Sequence, residues 1–246
     1  MVHSRTKIVC TIGPASSDPA VLEALIEAGM NVARINFSHG THEGHARVIR
    51  SIREIAGRLG RPIAILGDLQ GPRIRIGVLK APVEVESGSE HTFVPEAHAN
   101  GADIPVTYDA IAQDVTPGGW ILVNDGLLEF TVLSVDGDRV RVRTVHGGKL
   151  SSHKGMNLPG TEVSAPSLTE KDHTDIAFAI AQDISYIALS FVRRAGDITL
   201  LRALLPKGML IVAKIEKDSA VDRIDEILEA TDAVMVARGD LGVELP

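Results

Sequence analysis

The feature that most limits the fold of this chain is a repeated alternation of short apolar runs with helix-like stretches. In residues 1–70, "KIVCTIG", "NVARINFS" and "PIAILGD" read as strands. Between the first two lies "SSDPAVLEALIEAG", with Ser17 or Asp18 as cap, Pro19 in the first turn, an apolar face and a closing Gly29. Thr41 can cap the next helix, on which Ile49, Ile52, Ala56 and Leu59 fall near one face. The same rhythm returns after Pro166. There "SLTEKDHTDIAFAIAQD" predicts a capped helix, "YIALSFV" a strand, and "GDITLLRALLPKG" a helix that ends at its proline. "LIVAKIE" follows as a strand, "DSAVDRIDEILEAT" as one helix and "AVMVARGD" as a strand. Apolar strands linked by helices build parallel sheets covered on both faces. Six such steps, the sixth without its helix, leave a parallel β/α barrel or a doubly wound sheet.

From about Pro72 to Pro166 the rhythm is different. Short alternating runs are broken by the turn signals "SGSE", "PGG", "NDG", "DGD" and "HGG", and "RVRVRTV" alternates with period two. This predicts a small all-β module inserted between two stretches of α/β. The expected organisation is therefore 1–71 and 167–246 as two parts of one β/α unit, with 72–166 as the insert.

Composition removes several function classes. A net charge of -7 argues against nucleic acid or an anionic membrane as the main partner. Aromatic residues make up only 3%, too few for a base-stacking platform. The N-terminal "MVHSRTKIVC" lacks the apolar core of a signal peptide, and no apolar run approaches the ~20 residues of a membrane span. The single cysteine, Cys10, fits a reducing, cytoplasmic setting.

The polar residues gather at the C-terminal ends of the expected strands, where α/β sheets and barrels build their sites. Arg34, Asn36 and Ser38 share a face of the second strand, and Asp68 closes the third. Lys214 and Glu216 share a face at the end of the fifth, and Asp240 follows the sixth. Glu216 and Asp240 are hard oxygen donors of the kind that hold Mg²⁺ together with waters and a substrate oxygen. Lys214 and Arg34 are cations suited to a phosphate or carboxylate. A metal with cations serves phosphoryl transfer, and equally an enolate-forming lyase or aldolase.

Plainer roles compete with these. Lys214 and Glu216 could be a structural ion pair, and Asn36, Ser38 and Asp68 could satisfy loop backbone. Arg139, Arg141 and Arg143 read as the exposed face of a β-ribbon, and His42 and His45 as surface positions at a helix start. "RGD" at 238–240 sits at a strand end and carries no adhesion argument. No Walker A loop is present, and no GxGxxG follows the first strand.

Several long segments, in order, resemble the pyruvate kinase family: "TKIVCTIGPAS", "GMNVARINFSHG", "DLQGPRIRIG", "HKGMNLPG", "DIAFAIAQDISYIALSFVR", "IVAKIE" and "MVARGDLGVELP". The resemblance spans essentially the whole chain. It implies a (β/α)8 TIM-type barrel, here incomplete at about six strands, with an inserted β-barrel lid. It implies Mg²⁺- or Mn²⁺-dependent transfer of phosphate from phosphoenolpyruvate to ADP, giving pyruvate and ATP, the last step of glycolysis. The matching positions then acquire roles. Lys214 would support the transferring phosphoryl group and the enolate, and Glu216 and Asp240 would bind the metal. Arg34, Gly239 and Asp240 would contact phosphoenolpyruvate. Asn36, Ser38, His39, Arg75 and Lys154 would lie toward the nucleotide, Lys154 from the lid.

Two departures from the family pattern matter. Many members bind K⁺ through the positions held here by Asn36, Ser38, Asp68 and Leu69, and read "DTKGPEIRTG". This chain has Leu69, Gln70 and Arg73, and a guanidinium at Arg73 can supply the charge K⁺ would bring, so K⁺-independent activity is expected. The chain also stops at "GVELP", two barrel strands and a C-terminal domain short of the family pattern. An unclosed sheet exposes strand edges, so a fragment of a longer, homotetrameric parent, inactive alone, is one expectation. A metal-dependent lyase or aldolase acting on pyruvate enolates is another.

Overall fold

The computed structural model describes residues 5–245 of the chain. Along the sequence, β1 (Ile8–Ile12), α1 (Pro19–Glu27), β2 (Met30–Asn36), α2 (His42–Leu59) and β3 (Ala64–Asp68) come first. A β-rich stretch follows: β4 (Val83–Val85), β5 (Glu90–Pro95), β6 (Ile104–Val106), the short α3 (Ile111–Asp114), β7 (Trp120–Val123), β8 (Leu128–Asp136), β9 (Arg139–His146), β10 (Gly148–Leu150) and β11 (Met156–Asn157). Alternation then resumes with α4 (Glu170–Ala181), β12 (Tyr186–Leu189), α5 (Ala195–Arg202), β13 (Leu210–Ile215), α6 (Asp218–Asp222), α7 (Ile224–Ala230), β14 (Ala233–Val236) and α8 (Arg238–Glu244).

These elements form two compact units. The first comprises 1–71, 167–214 and 225–235, and the second 72–166, 215–224 and 236–246. The first is built on a six-stranded sheet in the order β1-β2-β3-β12-β13-β14. The pairs β1–β2, β2–β3, β3–β12 and β12–β13 are all parallel. Spatial order that follows chain order, without reversal, is the topology of a β/α barrel and not of a doubly wound sheet. The fold is thus α/β of the TIM-barrel type, with six strands present.

Local chemistry explains the helices. Asp18 caps α1 by accepting from the Ala20 N–H at 2.9 Å, and Thr41 caps α2 from Gly44 at 3.2 Å. Gly60 ends α2 in the left-handed conformation at φ 62°, which an L side chain resists. On α2 the buried residues are Ile49, Ile52 and Ile55. A capping box starts α4, where Thr169 and Asp172 bond each other's backbone.

Register sorts the sheet's residues into layers. Arg34 lies beside Leu66, Asn36 beside Asp68, Asp68 beside Ala188 and Ala188 beside Val212. Alternate residues share a face. One face therefore carries an apolar layer of Leu66, Ala188 and Val212, packed with Val32, Tyr186 and Met235. Two residues further along each strand, on that same face, stand Arg34, Asp68, Ser190 and Lys214. The apolar layer closes the floor, and the polar layer sits at the C-terminal strand ends.

The second unit has its own sheet, β11-β7-β8-β9-β5-β6, and a β10–β4 pair. Alternation along β9 buries Val140, Val142 and Thr144 and leaves the arginines outward. Phe93, Phe130, Ile121, Val123, Val140 and Val142 centre one apolar cluster. The four-residue loop from β7 to β8 holds Asn124, Asp125 and Gly126 at positive φ.

Three sequence expectations need correction. "DSAVDRIDEILEAT" is two helices, because Arg223 leaves helical geometry at φ -112° and ψ 25°. "AVMVARGD" ends as a strand at Val236, and "RGD" opens α8, so the sixth strand is followed by a helix after all. The helix within "GDITLLRALLPKG" stops at Arg202, ahead of its proline.

Candidate functional site

Four neighbouring strands of the first unit bring their C-terminal side chains together. Arg34, at the end of β2, donates from Nε to Asp68 Oδ2 at 2.7 Å and from a terminal nitrogen to Thr11 Oγ1 at 2.8 Å. Asp68, the last residue of β3, is 1% exposed. Its other oxygen lies 3.4 Å from the Lys214 ammonium. Lys214, on β13, donates to Ser190 Oγ at 2.8 Å, and Ser190 in turn donates to the Leu69 carbonyl at 2.7 Å.

Burying such charges is costly unless they are paired and hydrogen-bonded. Here one carboxylate, Asp68, is shared by two cations, Arg34 and Lys214. The two cations are suited to an anionic ligand. Asp68 is thus one ion-pair partner of Lys214. Ser190 and Thr11 escaped sequence reasoning. Each ends or occupies an apolar strand on the cluster's face, and that period-two position was the available signal.

The loop after β2 is held from several directions. Asn36 Oδ1 accepts from the Ser38 N–H at 3.0 Å, the plain loop-satisfying role. Lys171, on α4, donates to the Phe37 carbonyl at 2.7 Å and to Asp175 at 2.6 Å. His42 meets Asp175 at 2.7 Å and stacks on Phe178 with ring centres 4.4 Å apart. His45 meets the His39 carbonyl at 2.8 Å, and burial lowers its pKa. The two histidines are thus packed around Phe37, contrary to the surface placement expected of them. Gly67 makes room here, since a Cβ on it would come within 2.8 Å of the Phe37 ring. His39 is exposed, and Leu69 is 1% exposed, with its N–H bonded to the Ala188 carbonyl.

The remaining candidates belong to the second unit. Glu216, directly after β13, is 1% exposed. Gly239 and Asp240 lie in the first turn of α8, with Asp240 half-buried. The Ala237 N–H bonds the Ile215 carbonyl at 3.2 Å, which sets the start of α8 beside the strand end that carries Glu216. Both donors are carboxylates, which suits a hard divalent cation. Among the described residues no group of three or more His, Cys, Asp or Glu is placed to hold a metal. A metal here would therefore draw its other ligands from water and substrate. Arg75 and Lys154 are half-buried, and Arg73 is exposed. Arg139 pairs with Asp103, and Arg141 and Arg143 pair with Glu90 at 2.7 and 3.1 Å, which accounts for that stripe without a ligand. Among the described residues no helix is long and apolar enough to cross a membrane.

Comparison with known proteins bears on this arrangement. A family model described as pyruvate kinase, barrel domain, matches residues 3–246. Pyruvate kinase of Geobacillus stearothermophilus is 49% identical over 250 residues, covering 98% of this chain and 43% of that protein. The pyruvate kinases of Bacillus licheniformis and Sporosarcina psychrophila are 47% and 46% identical with the same coverage. The chain thus spans less than half the length of these relatives.

Proposed function

The chain belongs to the pyruvate kinase family, and on that premise we propose that it supplies the phosphoryl-transfer site of a pyruvate kinase. The observation that carries the proposal is the buried cluster in which Asp68 holds Arg34 and Lys214 at adjoining strand ends.

In the proposed reaction the bond between phosphorus and the enol oxygen of phosphoenolpyruvate breaks. A new bond forms from phosphorus to a terminal oxygen of ADP, and the enolate left behind takes a proton at carbon to become pyruvate. Arg34 binds the phosphate of phosphoenolpyruvate. Lys214 offers its ammonium to the phosphoryl group and to the developing enolate oxygen, and such preoriented charge lowers the barrier most in a water-poor site. Asp68 and Ser190 fix that ammonium in place, so no reorientation is needed during reaction. Glu216 and Asp240 would hold Mg²⁺ or Mn²⁺, which when bound neutralises phosphate charge. Gly239 and Asp240 contact the substrate. Asn36, Ser38, His39, Arg75 and Lys154 serve the nucleotide, with residues 72–166 as lid. Arg73 supplies the charge that K⁺ brings elsewhere, alongside Asn36, Ser38, Asp68 and Leu69, so activity needs no K⁺. The setting is cytoplasmic, and the longer parent a homotetramer.

The test is ATP formation by the purified chain from phosphoenolpyruvate, ADP and Mg²⁺, with K⁺ or a bulky organic cation. Turnover that vanishes in Lys214→Met and is indifferent to K⁺ supports the whole reading. A strong rise with K⁺ removes the role given to Arg73. Enolate chemistry without ADP would favour a lyase, and ligand-dependent thermal stabilisation without turnover a non-catalytic fragment.

A further inference from the structure

A buried ion pair joins the chain neighbours of the two carboxylates assigned to the metal. Lys217 directly follows Glu216, and Glu244 lies one helical turn after Asp240 on α8. The Lys217 ammonium reaches Glu244 Oε1 at 2.5 Å, with side chains 13% and 0% exposed. The amide of Asn157, on β11, donates to the same oxygen at 2.7 Å. Glu244 Oε2 takes no hydrogen bond from any described residue. A single oxygen atom thus joins the segment after β13, the helix bearing Asp240 and a strand of the β-rich stretch. A second tie runs alongside, from the Gly160 N–H to Asp218 Oδ2 at 3.1 Å.

We infer that Glu244, with Lys217 and Asn157, is a positioning residue that sets the separation of Glu216 and Asp240 for a divalent cation. This rests on the metal reading given above. Three features favour it over a bland role in folding. The pair connects the immediate chain neighbour of one metal carboxylate to the residue one turn from the other. Residues i and i+4 on a helix share a face, so Glu244 anchors the same face of α8 that presents Asp240. The pair is also internally neutral, so Glu244 adds no competing negative charge, and the two metal carboxylates keep their full attraction for a dication. Partners that orient metal ligands from behind commonly govern affinity.

The test is Mn²⁺ titration of the chain, followed by the electron paramagnetic resonance signal of free Mn²⁺, beside thermal unfolding with and without chelator. Glu244→Gln is expected to raise the Mn²⁺ dissociation constant by about 10- to 100-fold, the range for lost outer partners. Lys217→Arg, which keeps the charge, is expected to retain most of the affinity. Asn157→Ala, which leaves the ion pair intact, should weaken Mn²⁺ by a few fold, and it decides the matter if Glu244→Gln does not fold. A lowered unfolding temperature in chelator with unchanged Mn²⁺ affinity in these variants would overturn the inference and leave the pair purely structural. Glu216→Gln separates the two levels. If it binds Mn²⁺ as the parent does, the metal reading falls and the inference with it. If it loses Mn²⁺ while Glu244→Gln does not, the inference alone falls.

Discussion

The β-rich stretch and the parallel-sheet unit bury charge differently. The interior of the β-rich stretch is an apolar cluster around Phe93 and Phe130, and its charged residues stand outside in pairs such as Arg141–Glu90 and Arg143–Glu90. The parallel-sheet unit buries Asp68, Asp172, Asp175, Asp197 and Lys214. Most of these have a local structural task. Asp172 closes the capping box of α4 and accepts from Gly71, and Asp197 accepts from Ser167 and the Arg193 N–H. Asp68 and Lys214 lack such a task, since neither caps a helix and both face the layer above the apolar floor. Buried charge alone therefore does not mark a site. Buried charge whose partners are other strand-end charges, on one face, is the feature on which the proposed site rests.

The sharpest way to break that distinction is Asp68→Ala. It would remove the carboxylate that Arg34 and Lys214 share, and removing one partner of a buried pair costs about 3–5 kcal/mol. Urea unfolding measures it, and a loss below about 1 kcal/mol would show that water already solvates the cluster. Removing a cap is a smaller local change. Thr41→Ala should cost about 1 kcal/mol in the same assay, with the fold unchanged by circular dichroism.

A pH scan examines the second unit. Hydrogen bonds from Arg139 hold the Asp103 carboxyl below its usual value of 3.8. A depressed carboxylate contributes stability that is fully present above the unfolded value and is lost as pH falls through the folded one. The gap in stability between the parent and Asp103→Asn should thus be constant near neutrality and close below about pH 4. The smallest effect belongs to Glu90→Gln. Its carboxylate is exposed, and surface pairs are screened and weak, so unfolding temperatures with and without added salt should coincide with the parent's.

Much of this molecule is readable from its residues because the relevant signals are local. Alternating hydrophobicity marks β9, and Asp18, Thr41 and Thr169 mark helix starts. The positions of Arg34, Asp68 and Lys214 at strand ends follow from the apolar runs before them. Errors fell where local signals run out. A periodic stretch does not announce the break at Arg223, and an apolar run does not say where a strand gives way to α8.

Sequence by itself determined the strand–helix rhythm, the change of rhythm at Pro72 and Pro166, the family, and which side chains share a face. Tertiary structure alone decided that Asp68 stands between Arg34 and Lys214, that Ser190 holds the lysine, and that Asn157 and Lys217 meet on one oxygen of Glu244. The reason is register. Period two or 3.6 reports the face of an element, but the level at which one strand meets the next depends on contacts between residues far apart in the chain. That level sets which charge lies beside which.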